Sequence, residues 1–418
     1  MWVDERGLDE LTSAELARVG VDEVLIRRGV IDLAGDAPAL RFEPKPRLEG
    51  SLPVGLLLEV EGARTGLSDD AAGAVWRAVL SQEAGVPPAE VVLDLPETPD
   101  GSVDFVSRLA AVAGVPVVPL LAVDQLRDPG AAQVAVAAGR CLVPAYGTRS
   151  GALRGVDRRG TLPLARDLEP LVGSGVMVRV GIDLTPVVRP PIGQWGEDLG
   201  PLTEPDSAEI RTVSELDRTF VVRRDLSWSG RQWSPGDAIA VRWWDVSRLH
   251  TSLAEIDRVA LPDIVGWDLV TLPPPGDRLG IGEEALISYL AGHGPAPTVR
   301  VEVTRRGGTV RATLVNESPF ATAVSGVGNW LELAVPQGAV VVGDRGTFDA
   351  IELGSRKSGE WRTQTGVVDA VRFLENYVAP HEELATGAVR LAVARSEVRV
   401  RWHLLLSSGQ EVSGTLVR

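Results

Sequence analysis

The stretch Val54–Glu97, "VGLLLEVEGARTGLSDDAAGAVWRAVLSQEAGVPPAEVVLDLPE", decides the fold. It opens on the apolar run Val54–Glu61 and closes on "EVVLDL", Glu90–Leu95. Both runs are apolar at successive positions, the pattern of strands covered on two faces. Between them, Ser68, Asp69 and Asp70 supply the side chains that start a helix. Ala72, Val75, Trp76, Val79 and Leu80 then recur at the three- and four-residue spacing of one buried helix face. Strand, helix and strand in succession make a βαβ unit, which calls for a parallel sheet.

The same alternation extends in both directions. Candidate strands at "MWVDE", Glu23–Gly29, Val115–Leu121, Arg140–Tyr146, Val176–Asp183 and Ile264–Val270 bring the total to eight. Leu8, Leu11, Leu16 and Val19 fall on one helical face, and Ser102 opens a helix with Phe105, Val106, Leu109 and Val112 inward. Eight strands separated by helices predict an α/β fold, a TIM-like (β/α)8 barrel over residues 1–292. A doubly wound open sheet is the alternative, but no glycine-rich phosphate loop follows the early strands. One passage breaks the rhythm. Thr219–Asp245, "TFVVRRDLSWSGRQWSPGDAIAVRWWD", reads as a β-hairpin inserted between the seventh and eighth strands, after the proline- and glycine-rich loop Pro186–Ser207.

Beyond Gly292–Pro297 the hydrophobic period changes to two. Val299, Val301 and Val303 alternate with polar residues, Gly307–Gly308 turns the chain, and Val310, Ala312 and Leu314 return. "NWLELAVP", "DAVRFLE" and "EVRVRWHLLL" continue in kind, so residues 297–418 are expected to form an all-β sandwich.

The order of these pieces resembles the bacterial family known as domain of unknown function 3142. The residues that carry the likeness are "MWVDE", "VLDLP" (Val92–Pro96), "VRVGIDL" (Val178–Leu184), "GWDLVTLP" (Gly266–Pro273), "VRATLVNESP" and "NWLELAVPQGA". The resemblance implies a TIM barrel followed by a β-rich tail, and it carries no activity with it. Where the family strand has glutamine and a second acid, this chain has Val92 and Pro96, so Asp94 alone keeps that strand's acidity.

Composition excludes several classes of function. The 418 residues carry a formal net charge of −15, which repels phosphate backbones and argues against nucleic-acid binding. No run of apolar residues is long enough for a membrane span. The opening residues lack the basic head and apolar core of a signal peptide, while an exported origin with the signal segment absent stays open. Cys141 is the single cysteine and reads as a small core residue. His250, His293, His381 and His403 share no metal-ligand spacing, and neither a Walker loop nor a GxSxG elbow is present, so no cofactor and no metal is expected.

In a barrel of this kind the chemistry sits at the C-terminal strand ends. Those positions bring forward Asp94 and Glu59, with Asp183 as a third acid. Two carboxylates flanking a scissile bond are the requirement of glycoside hydrolysis. Trp195, Trp243 and Trp267 offer faces on which a sugar ring could stack, with Tyr146 and Arg28 completing the candidate binding set. The competing reading is a non-catalytic glycan-binding or protein-interaction scaffold, in which strand-end acids pair with arginines or cap helices and the tryptophans pack across the hairpin.

Overall fold

A computed structural model describes residues 2–3, 10–33, 38–43, 49–62, 69–83, 85–95, 102–123, 125–146, 161–184, 187–189, 208–212, 217–222, 225–228, 231–242, 245–259, 261, 263–270, 281–323, 325, 328–336, 338–406 and 408–418. The chain divides into two compact units. The described residues of one fall within Met1–Val187 and Ser252–Pro275; those of the other fall within Val188–Gln194, Leu199–Thr251 and Gly276–Arg418.

The first unit is built on strands β1 (Trp2–Val3), β2 (Val24–Asp32), β3 (Ala39–Phe42), β4 (Val54–Glu61), β5 (Val91–Asp94), β6 (Val117–Leu120), β7 (Arg140–Tyr146) and β8 (Met177–Asp183), with Ile264–Val270 as the last. The sheet runs β1, β2, β4, β5, β6, β7, β8, Ile264–Val270, and every pairing along it is parallel. β3 hangs antiparallel on β2. A doubly wound sheet reverses its strand order at a switch point; this one follows the chain throughout, which excludes the alternative topology. The helices are α1 (Glu10–Arg18), α2 (Asp69–Gln82), α3 (Ser102–Ala113), α4 (Pro129–Ala138) and α5 (Thr161–Leu168).

Helix α2 buries Ala72, Val75, Trp76 and Val79, as its spacing requires. In α3, Phe105, Val106 and Leu109 are buried, but in the last turn the inward place passes to Ala113 and Val112 is 40% exposed, because the chain turns back at Gly114 (φ 66°). Helix α4 has a complete set of end signals. Asp128 accepts from the Gly130 N–H at 2.8 Å, Pro129 opens the first turn, and Gly139 (φ 69°) ends it in the left-handed region.

The sheet is curled. Leu25, Leu57, Val92, Val118, Leu120 and Leu142 meet in one apolar cluster on its inner face. β5 and β8 are three places apart in the strand order. That is about 14 Å along a flat sheet at ~4.8 Å per strand. Yet Arg179 Nη2 lies 2.5 Å from Glu90 Oε1, a pairing that only a strongly curved sheet permits. At its two ends, β1 and Ile264–Val270 come within 8 Å of each other between Cα atoms.

A bulge in β2 sorts two arginines. Register passes from Arg27 opposite Leu57 to Gly29 opposite Leu58, leaving Arg28 as the extra residue. Arg27 therefore keeps the inward side of Leu57. Gly29 has φ 148°, and a Cβ there would lie 2.0 Å from the Arg41 carbonyl oxygen of β3. Gly29→Ala is expected to cost about 2 kcal/mol and to loosen β3, read as a lower urea midpoint and faster amide exchange at Ala39–Phe42; unchanged exchange there would refute the close-approach account.

In the second unit, Ala208–Thr212, Asp217–Val222, Ala238–Arg242 and Val187–Arg189 form a four-stranded sheet in that order. Leu226–Trp228 and Arg231–Trp233 make a separate antiparallel pair. The single hairpin expected at Thr219–Asp245 is thus two nested hairpins, Asp217–Val222 with Ala238–Arg242 outside and the shorter pair inside. Two further helices are α6 (Val246–Val259) and α7 (Glu283–Leu290).

The C-terminal part consists of two antiparallel sheets. One has the order Val299–Arg306, Thr309–Asn316, Val389–Leu391, Val340–Val342, with Glu383–Ala385 also on Thr309–Asn316. The other runs Arg362–Thr363, Ala350–Ser355, Ala370–Glu375, Asn329–Ala334, Arg399–Leu405, Glu411–Val417. A single core joins them, with Val310, Ala312 and Leu314 from the first and Leu331, Leu333, Val371, Phe373, Val400 and Leu404 from the second.

Candidate functional site

Successive residues of a strand point to opposite faces, so the apolar inner cluster fixes the parity of its neighbours. Glu59 follows Leu57 by two residues and Asp94 follows Val92 by two, which puts both on the inner face at the C-terminal ends of β4 and β5. They are direct register partners. Adjacent strands lie about 4.8 Å apart, so the two carboxylates are neighbours.

Arginines meet this rim from β2 and β3. Arg27 Nη2 donates to Glu59 Oε2 at 2.8 Å, and its Nε is 3.3 Å from Glu43 Oε1. Arg41 Nη2 lies 2.5 Å from Glu61 Oε2. These pairs are half-exposed, so each contributes little to stability; their effect is to fix carboxylate orientation.

The other predicted site residues fare differently. Asp183 ends β8 opposite Val270, and Tyr146 ends β7 opposite Ile182; their side chains lie outside the described residues. Trp195 and Trp243 also lie outside them. Trp267 does not belong to the site. It pairs in register with Val180 and directly precedes the inward Asp268, so it faces away from the inner face and is 38% exposed. Arg28 is also corrected. The β2 bulge turns it off the inner face, where it is 3% exposed, donates to Glu83 Oε1 at 2.9 Å and to the Glu43 carbonyl at 2.7 Å, and lies over the Phe42 ring. It is a structural tether.

Sequence reasoning overlooked a second charged group, at the opposite end of the inner face. Glu90 precedes Val92 by two residues, and Arg179 of β8 donates to it at 2.5 Å while lying 3.5 Å from Asp268 Oδ2. Burial, then the Glu90 charge, pushes the Glu23 carboxyl up to about 7. The signal was available: Glu90 and Arg179 are charges at inward-parity positions of otherwise apolar runs. Cys141 is fully buried, and burial pushes its thiol up to about 12, so it carries no nucleophilic chemistry at neutral pH. Among the described residues there is no group of three or more His, Cys, Asp or Glu placed to hold a metal, and no helix long and apolar enough to cross a membrane.

No family model and no curated protein matches the sequence. Among solved structures, the chain is similar to the spore cortex-lytic enzyme SleL of Bacillus megaterium, at 12% identity, 69% of this chain and 72% of that one, with a TM-score of 0.45. SleL of Bacillus cereus follows at 9% identity, 69% and 74% coverage and a TM-score of 0.40. A putative sporulation-specific glycosylase, YdhD of Bacillus subtilis, matches at 11% identity over 50% of this chain and 78% of that one, with a TM-score of 0.34. None of these similarities assigns a reaction to this chain.

Proposed function

We propose that the chain is a glycoside-hydrolase-like barrel protein that binds and cleaves carbohydrate, with Glu59 and Asp94 as its carboxylate pair. The observation that carries the reading is their register partnership at the C-terminal ends of adjacent inner-face strands. Carboxyl groups about 5–5.5 Å apart suit a retaining mechanism, in which one attacks the anomeric carbon and the other protonates the leaving oxygen. Arg27, paired with Glu59, suits Glu59 to the nucleophile's place and leaves Asp94 as the acid. In this reading the curled sheet closes between β1 and Ile264–Val270 into a barrel, Asp183 stands on the same rim, and Tyr146, Trp195 and Trp243 border the sugar. The order of strands and tail also supports kinship with domain of unknown function 3142.

A second reading is a non-catalytic scaffold. It is favoured by the arginine pairing of Glu59 and Glu61, which gives those acids a structural employment. A polysaccharide panel that includes spore cortex separates the two. Turnover by the wild type should fall by a hundredfold or more in both Asp94→Asn and Glu59→Gln, with sugar binding retained. Binding without turnover in the wild type would favour the scaffold, and wild-type-like turnover in both variants would overturn the assignment of the pair.

A further inference from the structure

We propose that the strand Glu411–Val417 is a docking edge on which a second copy of this chain pairs antiparallel, joining two C-terminal sheets into one. This goes beyond the carbohydrate reading and does not depend on it. Glu411–Val417 is the outer strand of its sheet and is bonded on one side, to Arg399–Leu405. Val398 and Arg418 exchange both backbone hydrogen bonds, and Leu406 donates to the Gln410 carbonyl. In an antiparallel ladder bonded pairs recur every second residue, so Val412, Gly414 and Leu416 also turn their N–H and C=O groups toward Arg399–Leu405. Glu411, Ser413, Thr415 and Val417 turn theirs outward. All of these outward residues are exposed, and no described residue bonds their backbone groups.

The other margins of the two C-terminal sheets are guarded or short. Val299–Arg306 carries Arg300, Glu302, Arg305 and Arg306, charges of the kind that keep edges apart. On Val340–Val342 the Val340 N–H donates to the Val368 carbonyl, and Arg362–Thr363 is two residues long. Glu411–Val417 has seven residues, an unbroken register, no proline, no lysine and one charge, Glu411, at its first position. The devices that blunt an edge strand are missing along it.

The strand is complementary to itself. Antiparallel pairing about Gly414 sets Glu411 opposite Val417 of the second copy and Ser413 opposite Thr415, and every outward N–H and C=O then has a partner. On the outer face, Glu411 arrives beside Val417, whose own neighbour in the sheet is Arg399. The negative end of each strand thus meets the arginine end of the other, whereas parallel pairing in register would set two Glu411 side by side. On the core face, Val412, Leu416 and Trp402 pack against the sandwich core yet stay half-buried. A Cβ at Gly414 would lie 2.0 Å from Trp402 Cζ2, so the indole lies across the bare strand at the margin. Continuing the sheet covers this apolar lip with the same residues of the second copy. Such an interface is isologous, and it closes at two copies because the pairing uses up the open margin.

Sedimentation equilibrium of the intact chain tests this in about 0.15 M salt, where charges more than ~8 Å apart are largely screened. As concentration rises to about 1 mM, the wild type should pass from 44.5 kDa to twice that mass. Amide exchange should slow in concentrated protein at Glu411, Ser413, Thr415 and Val417, and not at the already bonded Val412, Gly414 and Leu416. Val417 is 53% exposed, so its charged variants fold. Val417→Glu sets a carboxylate opposite Glu411 at both ends of the pairing and should weaken the dimer about tenfold, while Val417→Lys should tighten it. Within one chain the order is reversed, since position 417 neighbours Arg399, so a shift in that sense does not come from folding stability. Thr415→Pro, which removes an outward N–H, should leave a monomer. A wild type that stays monomeric throughout overturns the proposal and leaves the edge to an extended segment of another protein. A dimer indifferent to the charge at position 417 overturns it too, because its contact then lies elsewhere.

Discussion

Glu332→Ala is expected to cost the second unit about 3–5 kcal/mol, the range for removing one member of a buried ionic group and leaving the others uncompensated. Glu332 lies between Leu331 and Leu333, both of which enter the core of the paired sheets, so strand alternation points it to the opposite face. It is nonetheless 0% exposed. The cover is a layer of arginines. Arg356 donates twice, from Nε and Nη2, at 2.8 Å each; Arg372 Nε follows at 3.0 Å, and Arg401 Nη1 stands 3.5 Å away. Arg372 is itself held between the rings of Trp330 and Trp361, at 4.2 and 4.1 Å from their centroids. Alanine would leave three guanidiniums facing one another under two indoles. Urea unfolding of Glu332→Ala should show the loss, and adding Arg356→Ala should recover part of it, since one repelling charge is gone. A loss under about 1 kcal/mol would mean that the arginines find water instead, and that Glu332 is no organising centre.

The elements that could be read from the sequence are those whose pattern is local. Val54–Glu61, Arg140–Tyr146 and Ile264–Val270 occur with the expected boundaries because each is an apolar run ended by polar or turn residues. The Gly307–Gly308 hairpin follows from its alternation, with Arg306 paired to Thr309 across the turn. β3 escaped because Ala39–Phe42 is short and mixed, and its place beside β2 depends on the close approach that Gly29 allows. The same bulge defeated the reading of Arg28: a one-residue shift exchanges inside for outside, and no local spacing announces it. The partnership of Glu59 and Asp94 was legible because both end apolar strands that follow each other in the βαβ unit. Their arginine partners were not, since Arg27 depends on the bulge and Arg41 on β3. Glu332 was hidden for a related reason. Alternation assigns it to the wet face, and only the fold shows that arginines and tryptophans cover that face.

The stability of the second unit is expected to fall by about 2–4 kcal/mol between pH 5 and pH 9 through Glu375 alone. This residue ends the strand Ala370–Glu375, shares the core parity of Phe373, and is 8% exposed. Burial first, then its hydrogen bond to Asp349 and the charges of Asp349 and Glu382, pushes its carboxyl up to about 9. Asp349 is in turn fixed, its Oδ2 accepting from the Asn376 N–H at 2.9 Å, so it cannot readily turn away. At neutral pH Glu375 therefore keeps its proton and donates it to the Asp349 side chain. The unfolded chain releases that proton near 4.5, the folded one near 9. Stabilisation is complete below about 4.5, declines from there, and is gone once pH passes about 9. Each unit of separation is worth about 1.4 kcal/mol, and the smaller total allows for partial solvation of the Glu375 carboxyl once it ionises. Glu375→Gln keeps a donor toward Asp349 without the titration. It should flatten the slope and be more stable than the wild type at pH 9, while a variant that keeps the full wild-type slope would place the titrating group elsewhere.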